Sequence, residues 1–357
     1  MFCIRQLLTL SDQSCRYRNM TAPVKTNRLL TCLGVAAGLA ALIITAATVG
    51  DFGVTADEPG YYKCCLQQME WFRQAGGAIA SGSWQEPFGA ETLDRYWDYS
   101  RLYRSAGAHP QFYLLCSSLT LALFEGRLDP MGAYRLSPAV MFSVLVVLLF
   151  LSVGRRYGAA AGFWAAGAFA LMPRVFGHAH FGATEMPITL LWLAAALSFH
   201  RALGSRRWAV VFALVYGLAL ATKFTAFIIP LPLTAYVVAS RRFREAAWPV
   251  GLALVVSPLV MVGLNPQWWH HPLVRVYGYL AENLSRSQWV GVPAYYLGES
   301  YSFYLPWHHS LVYTLFTVSP LVLAAFIYGC WRTARRPQQD PWAGHMLLHW
   351  LALHLVM

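Results

Sequence analysis

Charge is what this sequence has least of. Only 12% of its 357 residues are Asp, Glu, Lys or Arg, about half the fraction a soluble domain carries, so a water-soluble globule is excluded. Acids are scarcer than bases, 16 against 27, for a formal net charge of +11. That excess does not point to nucleic acid. The positives fall in short clusters between apolar runs (Arg155-Arg156, Arg201/Arg206/Arg207, Arg241/Arg242/Arg244, Arg332/Arg335/Arg336), the pattern that orients a membrane protein. Seven cysteines make an odd count without metal-ligand spacing, so no disulfide framework can be read. A P-loop, a Gly-rich dinucleotide fingerprint, a nucleophile elbow and a His-Glu-x-x-His helix are all missing, which argues against nucleotide triphosphate hydrolysis. No repeat or low-complexity linker divides the chain.

What is present is hydrophobic: 57% apolar residues and a mean hydropathy of +0.43. Long apolar runs recur throughout, and helices are the structures that cross a bilayer from such runs. The expectation is a single all-α, polytopic membrane domain over 1–357. Its spans fall near 29–49, 136–153, 159–173, 187–201, 208–222, 224–240, 247–264, 311–331 and 343 to the end. The basic leader 1–28 reads as the start of an uncleaved signal anchor, although Ala46-Ala47 leaves cleavage open. The stretch 111–124 decides the topology. If it crosses, every later Arg cluster lands opposite Arg16, Arg18, Lys25 and Arg28; if it is interfacial or re-entrant, all lie inside with a cytoplasmic N-terminus. The second option is preferred. Loop 50–135, loop 174–186, a turn at Lys223 and the aromatic loop 265–310 then share the extracytoplasmic face. All acids except Asp12, Glu245 and Asp340 gather there. Gly158, Gly162 and Gly167 suit close helix packing. The last residue, Met357, lies inside an apolar run, so a fragment or a missing C-terminal portion is expected.

Five constellations on that face carry candidate chemistry. Asp57-Glu58 follows the first span and supplies two carboxylates, one to deprotonate a nucleophile and one to orient it or a cation; the plainer reading is a helix N-terminus before Pro59. His109-Pro110 precedes the interfacial helix. Arg135 opens the next span, either snorkelling or holding a phosphate. Arg174, His178, His180 and Glu185 crowd one short loop, suited to hydrogen-bonding a phosphate or sugar. A divalent metal on His178, His180, Glu185 and Glu58 is the other reading. Lys223 is a further cation at the boundary, snorkelling or phosphate-binding. The aromatic loop, with Trp268-Trp269-His270-His271 and Trp307-His308-His309, fits an interfacial belt or a sugar groove.

With those residues in order, the chain resembles the membrane-embedded GT-C glycosyltransferases, most of all glycosyltransferase family 39. That family includes the dolichyl-phosphate-mannose protein mannosyltransferases and the bacterial lipid A aminoarabinose transferases. The resemblance runs from about 29 to 240: Asp57-Glu58 after the first span, His109-Pro110, Arg135-Leu-Ser-Pro138, Arg155-Arg-Tyr-Gly158, Pro173-Arg174…His178…Glu185-Met-Pro187 and Gly217-Leu-Ala-Leu-Ala-Thr-Lys223. Two departures stand out: His109-Pro110-Gln111 where the family usually has His-Pro-Pro, and Glu185 where Asp is common. The resemblance implies a GT-C bundle of about nine or more transmembrane helices, with the active site in extracytoplasmic loops. It implies transfer of a sugar from a polyprenyl-phosphate carrier to a protein, lipid or glycan acceptor. By the same resemblance Asp57 would be the base and Glu58 its acceptor-side partner. Arg135, Lys223 and Arg174 would bind the lipid phosphate. A transporter or flippase for lipid-linked sugars, or a non-catalytic binder, is the competing class.

Overall fold

The computed structural model describes residues 28–83, 85–98, 109–285, 293–302, 304–335 and 340–356; the basic leader, 1–27, lies outside them. Helix α1 (Arg28–Thr48) is an uninterrupted apolar run that tightens into a 3-10 turn at Val49–Asp51. Helix α5 (Pro130–Tyr157) is the longest, at 28 residues. Its start is set by the sequence: Asp129 caps it by accepting from Gly132 N–H at 2.8 Å, with Pro130 in the first position. Its end is equally explicit, with Arg155 and Arg156 in the last turn and Gly158 at φ 96°. Pro138 is accommodated within it.

Helices α1 and α5 pack along their length, and Ser143 donates to the Gly38 carbonyl at 2.8 Å. Helix α6 (Ala159–Ala170) folds back on α5, and there Gly162 is required: a Cβ would sit 2.7 Å from the Phe150 carbonyl. Gly158 serves the turn instead, and Gly167 faces open space. Of the three glycines expected to pack closely, only Gly162 does so.

Between α1 and α5 the chain forms α2 (Glu58–Ala80), α3 (Ala90–Trp97) and α4 (Phe112–Leu123). The 12 residues of α4 reach about 18 Å, against a hydrocarbon core of about 30 Å. It lies on α2 and α5, burying Tyr113, Leu114 and Leu121 with Tyr61, Cys65 and Tyr134.

The expected 159–173 span is met by α6 over Ala159–Ala170 and ends in a sharp bend. Helix α7 (Pro173–His180) leaves α6 at 67°, where Pro173 restarts the chain. Next come α8 (Glu185–Ala202), α9 (Arg206–Leu220), a 3-10 turn at Phe224–Ile228, α10 (Pro230–Ser240) and α11 (Phe243–Gly263). These surround a core that includes Phe199, Phe212, Ile229 and Tyr236. The expected 224–240 span is thus part 3-10, because Pro230 and Pro232 remove backbone donors. A 3-10 turn at Pro266–Trp268 leads to α12 (Pro272–Ser285), a short antiparallel hairpin of β1 (Ala294–Tyr296) and β2 (Glu299–Tyr301), α13 (His309–Thr317), α14 (Pro320–Arg335) and α15 (Pro341–Val356). The span expected over 311–331 is therefore two helices, parted at Val318-Ser319 by the restriction Pro320 places on the residue before it.

The architecture is nearly all α, as expected, with the hairpin as the exception. Three helices, α1 with its 3-10 extension, α5 and α11, are long and apolar enough to cross a bilayer, or four if the bent α6–α7 pair counts as one span. Nine spans are not met by length and apolarity alone among the described residues; α8, α9, α10, α14 and α15 run 11 to 18 residues.

Candidate active site

The acidic pair lies where α2 begins, and the helix separates its members. Glu58 is the first residue of α2 and is fully buried, whereas Asp57 sits at the N-cap, exposed, its side chain capping nothing. The Asp57 carbonyl accepts from Gly60 and Tyr61 N–H at 3.2 and 3.3 Å.

Glu58 meets Arg135 from α5. The Arg135 Nε donates to Glu58 Oε1 at 2.7 Å and an Nη2 hydrogen to Oε2 at 2.8 Å, a bidentate pair of which 2% and 0% is exposed. The remaining Arg135 donors go to backbone carbonyls, Val49 at 3.1 Å, Phe52 at 2.9 Å and Gly53 at 2.8 Å. All five guanidinium N–H groups are used. Glu58 also accepts from Thr55 N–H at 2.8 Å, Thr55 hydroxyl at 3.2 Å and Gly182 N–H at 2.7 Å. Burial by itself raises the Glu58 carboxyl. The bonds from Arg135, Thr55 and Gly182, with the Arg135 charge, outweigh it and hold the carboxyl below its ordinary value.

This geometry corrects two expectations. Arg135 has no N–H left to hold a lipid phosphate, and the carboxylate of Glu58 is closed to an acceptor. Together they clamp the 49–58 segment to α5 and to the loop at Gly182. That loop is further fixed by a hydroxyl chain, Tyr113 donating to Tyr134 at 3.1 Å and Tyr134 to the Gly182 carbonyl at 2.7 Å. A Cβ at Gly182 would run into the Tyr134 ring.

His180 is likewise structural here. It is fully buried, with Nδ1 2.7 Å from the Phe176 carbonyl, Nε2 2.8 Å from the Thr48 hydroxyl, and its ring stacked on Phe52 at 4.0 Å. It docks α7 on the end of α1 and does not face a ligand, contrary to its expected substrate-binding role. His178 belongs with a different group. It feels the charges of Glu185, Arg174 and Lys223. Lys223 Nζ donates to Glu185 Oε1 at 2.9 Å, and both side chains stay partly exposed. Burial raises the Glu185 carboxyl, but the charge and hydrogen bond of Lys223 prevail and hold it below its ordinary value. Arg174 is exposed, its guanidinium 4.7 Å from the centre of the Tyr313 ring on α13. His109 packs edge-on against Tyr61, one turn along α2 from Asp57, with ring centroids 5.9 Å apart.

Backbone bonds tie these groups to one place. Phe112 N–H donates to the Ala221 carbonyl at 2.9 Å, so the His109-Pro110 segment abuts the turn that carries Lys223. Gln111 N–H donates to Asn265 at the start of the aromatic loop, at 2.8 Å. The proposed convergence of His178, His180, Glu185 and Glu58 on a metal is not formed, since Glu58 and His180 are bonded elsewhere. Among the described residues no three His, Cys, Asp or Glu groups stand where they could share an ion. Sequence reasoning missed Gly182, Gln68, Gln111 and Asn265, whose contributions are backbone or amide bonds to partners far along the chain. The Pro-Gln departure at 111 was the one visible signal.

An apolar cavity of about 520 Å³ opens among α8, α9, α10 and α11, lined by Phe199, Phe212, Leu220, Phe227, Val237 and Leu254. Leu220 and Phe227 lie on either side of Lys223 in the chain.

Residues 108–268 match the family model of the dolichyl-phosphate-mannose-protein mannosyltransferases. The match spans His109, Arg135, Arg174, His178, His180, Glu185 and Lys223, but not Asp57, Glu58 or most of the aromatic loop. No curated protein and no solved structure matches the chain. Over this central stretch the chain is similar to that family, and it carries apolar helices long enough to span a membrane.

Proposed function

We propose that the chain transfers a sugar from a polyprenyl-phosphate donor to an acceptor on the extracytoplasmic face, with Asp57 as the base. The N-terminus is then cytoplasmic, and the shorter apolar helices complete a GT-C bundle of about nine or more spans. The observation that carries the reading is the asymmetry of the acidic pair. Glu58 is spent on Arg135, while Asp57 beside it is exposed at the helix start, and among the described residues its side chain caps nothing.

The acceptor hydroxyl or amine gives its proton to an Asp57 carboxylate oxygen as its lone pair attacks the anomeric carbon. The bond from that carbon to the phosphate oxygen breaks, and the electron pair leaves on the polyprenyl phosphate. Attack opposite the leaving group inverts the anomeric centre. A phosphate is already a good leaving group, so a cation suffices to stabilise it. Lys223 and Arg174 supply that charge, His178 adds a ring nitrogen, and Glu185 orients Lys223. The clamp at Glu58–Arg135 holds the base without touching substrate. The cavity lined by Leu220 and Phe227, which flank Lys223 in the chain, offers an apolar wall for the isoprenoid chain.

The test is to incubate wild-type protein and Asp57→Asn in lipid with a panel of polyprenyl-phosphate sugars and acceptors, following donor loss. Donor consumption by wild type alone, with the variant equally stable, supports the assignment. Equal consumption by both removes Asp57 as the base; donor binding without consumption by either points to transport or binding.

A further inference from the structure

Gln111 is fully buried, and every polar group on it is occupied. Its backbone N–H donates to Asn265 Oδ1 at 2.8 Å and its Nε2 donates to the Trp97 carbonyl at 3.3 Å. Its Oε1 accepts from Gln68 Nε2 at 2.7 Å, and Gln68 Oε1 accepts from the Ser118 hydroxyl at 2.9 Å. The next residue, Phe112, donates its N–H to the Ala221 carbonyl, two residues before Lys223. This dipeptide thus bonds to four parts of the chain. Gln68 lies on α2, whose first turn presents Asp57. Trp97 ends α3. Asn265 opens the aromatic loop. Ala221 belongs to the Lys223 turn.

We infer that Gln111 is a positioning residue that sets the distance between Asp57 on α2 and Lys223 on its turn. The inference rests on the reading of Asp57 as base and Lys223 as phosphate cation. The physical reason lies in the type of bond. Apolar packing of α2 on α4 fixes proximity but tolerates sliding, whereas amide bonds with both partners buried have one satisfied register. Sliding α2 by a fraction of a turn would break the Gln68–Gln111 and Ser118–Gln68 bonds together. The His109 ring, two residues away and against Tyr61, is held by the same register.

Gln111→Met keeps the volume and loses the side-chain bonds; Gln111→Ala loses both. Spin labels on genetically encoded ketones at Lys63 and Thr225, in lipid without substrate, report the α2-to-turn distance. One narrow distribution is expected in wild type, with broad or displaced ones in both variants. Transfer kinetics should show kcat reduced about 10- to 100-fold, as for a misplacement of about 1 Å, with the donor KM nearly unchanged. Gln111→Met combined with Lys223→Ala should be no slower than Lys223→Ala alone, because the positioning has lost its object. A distance unchanged in Gln111→Met, or losses that multiply in the double variant, would overturn the inference. If wild type turns over no donor, the transfer reading fails, and the distances still decide the positioning.

Discussion

Removing the Arg135 guanidinium should damage the fold far more than donor recognition. In Arg135→Ala the buried Glu58 carboxylate keeps its bonds from Thr55 and Gly182 but loses its counter-charge. The carbonyls of Val49, Phe52 and Gly53 lose their donors as well. Breaking a buried pair by deleting one partner costs about 3–5 kcal/mol, which corresponds to a fall in Tm of about 5–10 °C. Thermal unfolding in lipid nanodiscs measures it. The double variant Glu58→Gln/Arg135→Met, which removes both charges, should recover much of the loss. The pH dependence gives a second, sign-sensitive readout. In wild type the folded-state Glu58 carboxyl lies below its unfolded value. Its contribution is therefore complete above about pH 4.3, the unfolded carboxyl value, and is lost as pH falls through the folded value. In Arg135→Ala, burial without the arginine pushes the carboxyl up, so acidification should stabilise that variant. An Arg135→Ala protein with wild-type Tm and a weakened donor affinity would refute the clamp and restore arginine as the phosphate ligand.

Asp57→Asn should leave folding stability within about 0.5 kcal/mol of wild type, as for an exposed side chain, while abolishing transfer; unfolding and donor-loss assays read the two effects separately. Gly182→Ala should be poorly folded or inactive, because its methyl group displaces Tyr134 and with it the Gly182 N–H bond to Glu58; a monodisperse, active variant would contradict the close approach. Lys223→Ala should weaken donor affinity with little loss of stability, since a partly exposed pair contributes about 1 kcal/mol or less. Glu185→Gln, which releases Lys223, should tighten binding of the polyprenyl phosphate product and slow its departure, as product-inhibition kinetics would show.

Much of the fold was legible because membrane helices announce themselves by length and apolarity, and their ends by Arg clusters, glycine and proline. The start of α5 at Asp129-Pro130 and its end at Gly158 follow from residue types alone. Proline also explains the misreadings: Pro230 and Pro320 each begin a new helix inside a run that averages as one span. The site was legible by residue type and not by partner. Lys223 and Glu185, 38 residues apart, are both conspicuous charges and do meet. Arg135 was conspicuous for the same reason, but a position at the mouth of a helix does not say where the guanidinium turns. Its partners are the carbonyls of an unwound segment, 82 to 86 residues earlier, and carbonyls carry no side-chain signature. Gly182 acts through a backbone N–H group, which every residue but proline possesses, so neither pattern nor composition marks it, and Gln111 was marked only by its departure from His-Pro-Pro.

The division of labour within Asp57-Glu58 follows from helix geometry. Successive residues at a helix start are turned by about 100°, so adjacent carboxylates cannot both face one cleft. When the second turns inward and is buried, it must be met by a cation and hydrogen bonds, or it would be protonated. Arg135, Thr55 and Gly182 meet that need, and each comes from a different stretch of chain: α5, the segment before α2, and the loop before α8. The burial of Glu58 thus makes the orientation of Asp57 depend on three elements at once. A lone acid at the same position would be as exposed, but its backbone would be tied only to its own helix. On the proposed reading, two carboxylates in sequence give one reactive group and one anchor. The anchor is where mutation should first be felt as instability, and the reactive group where it should be felt as lost turnover.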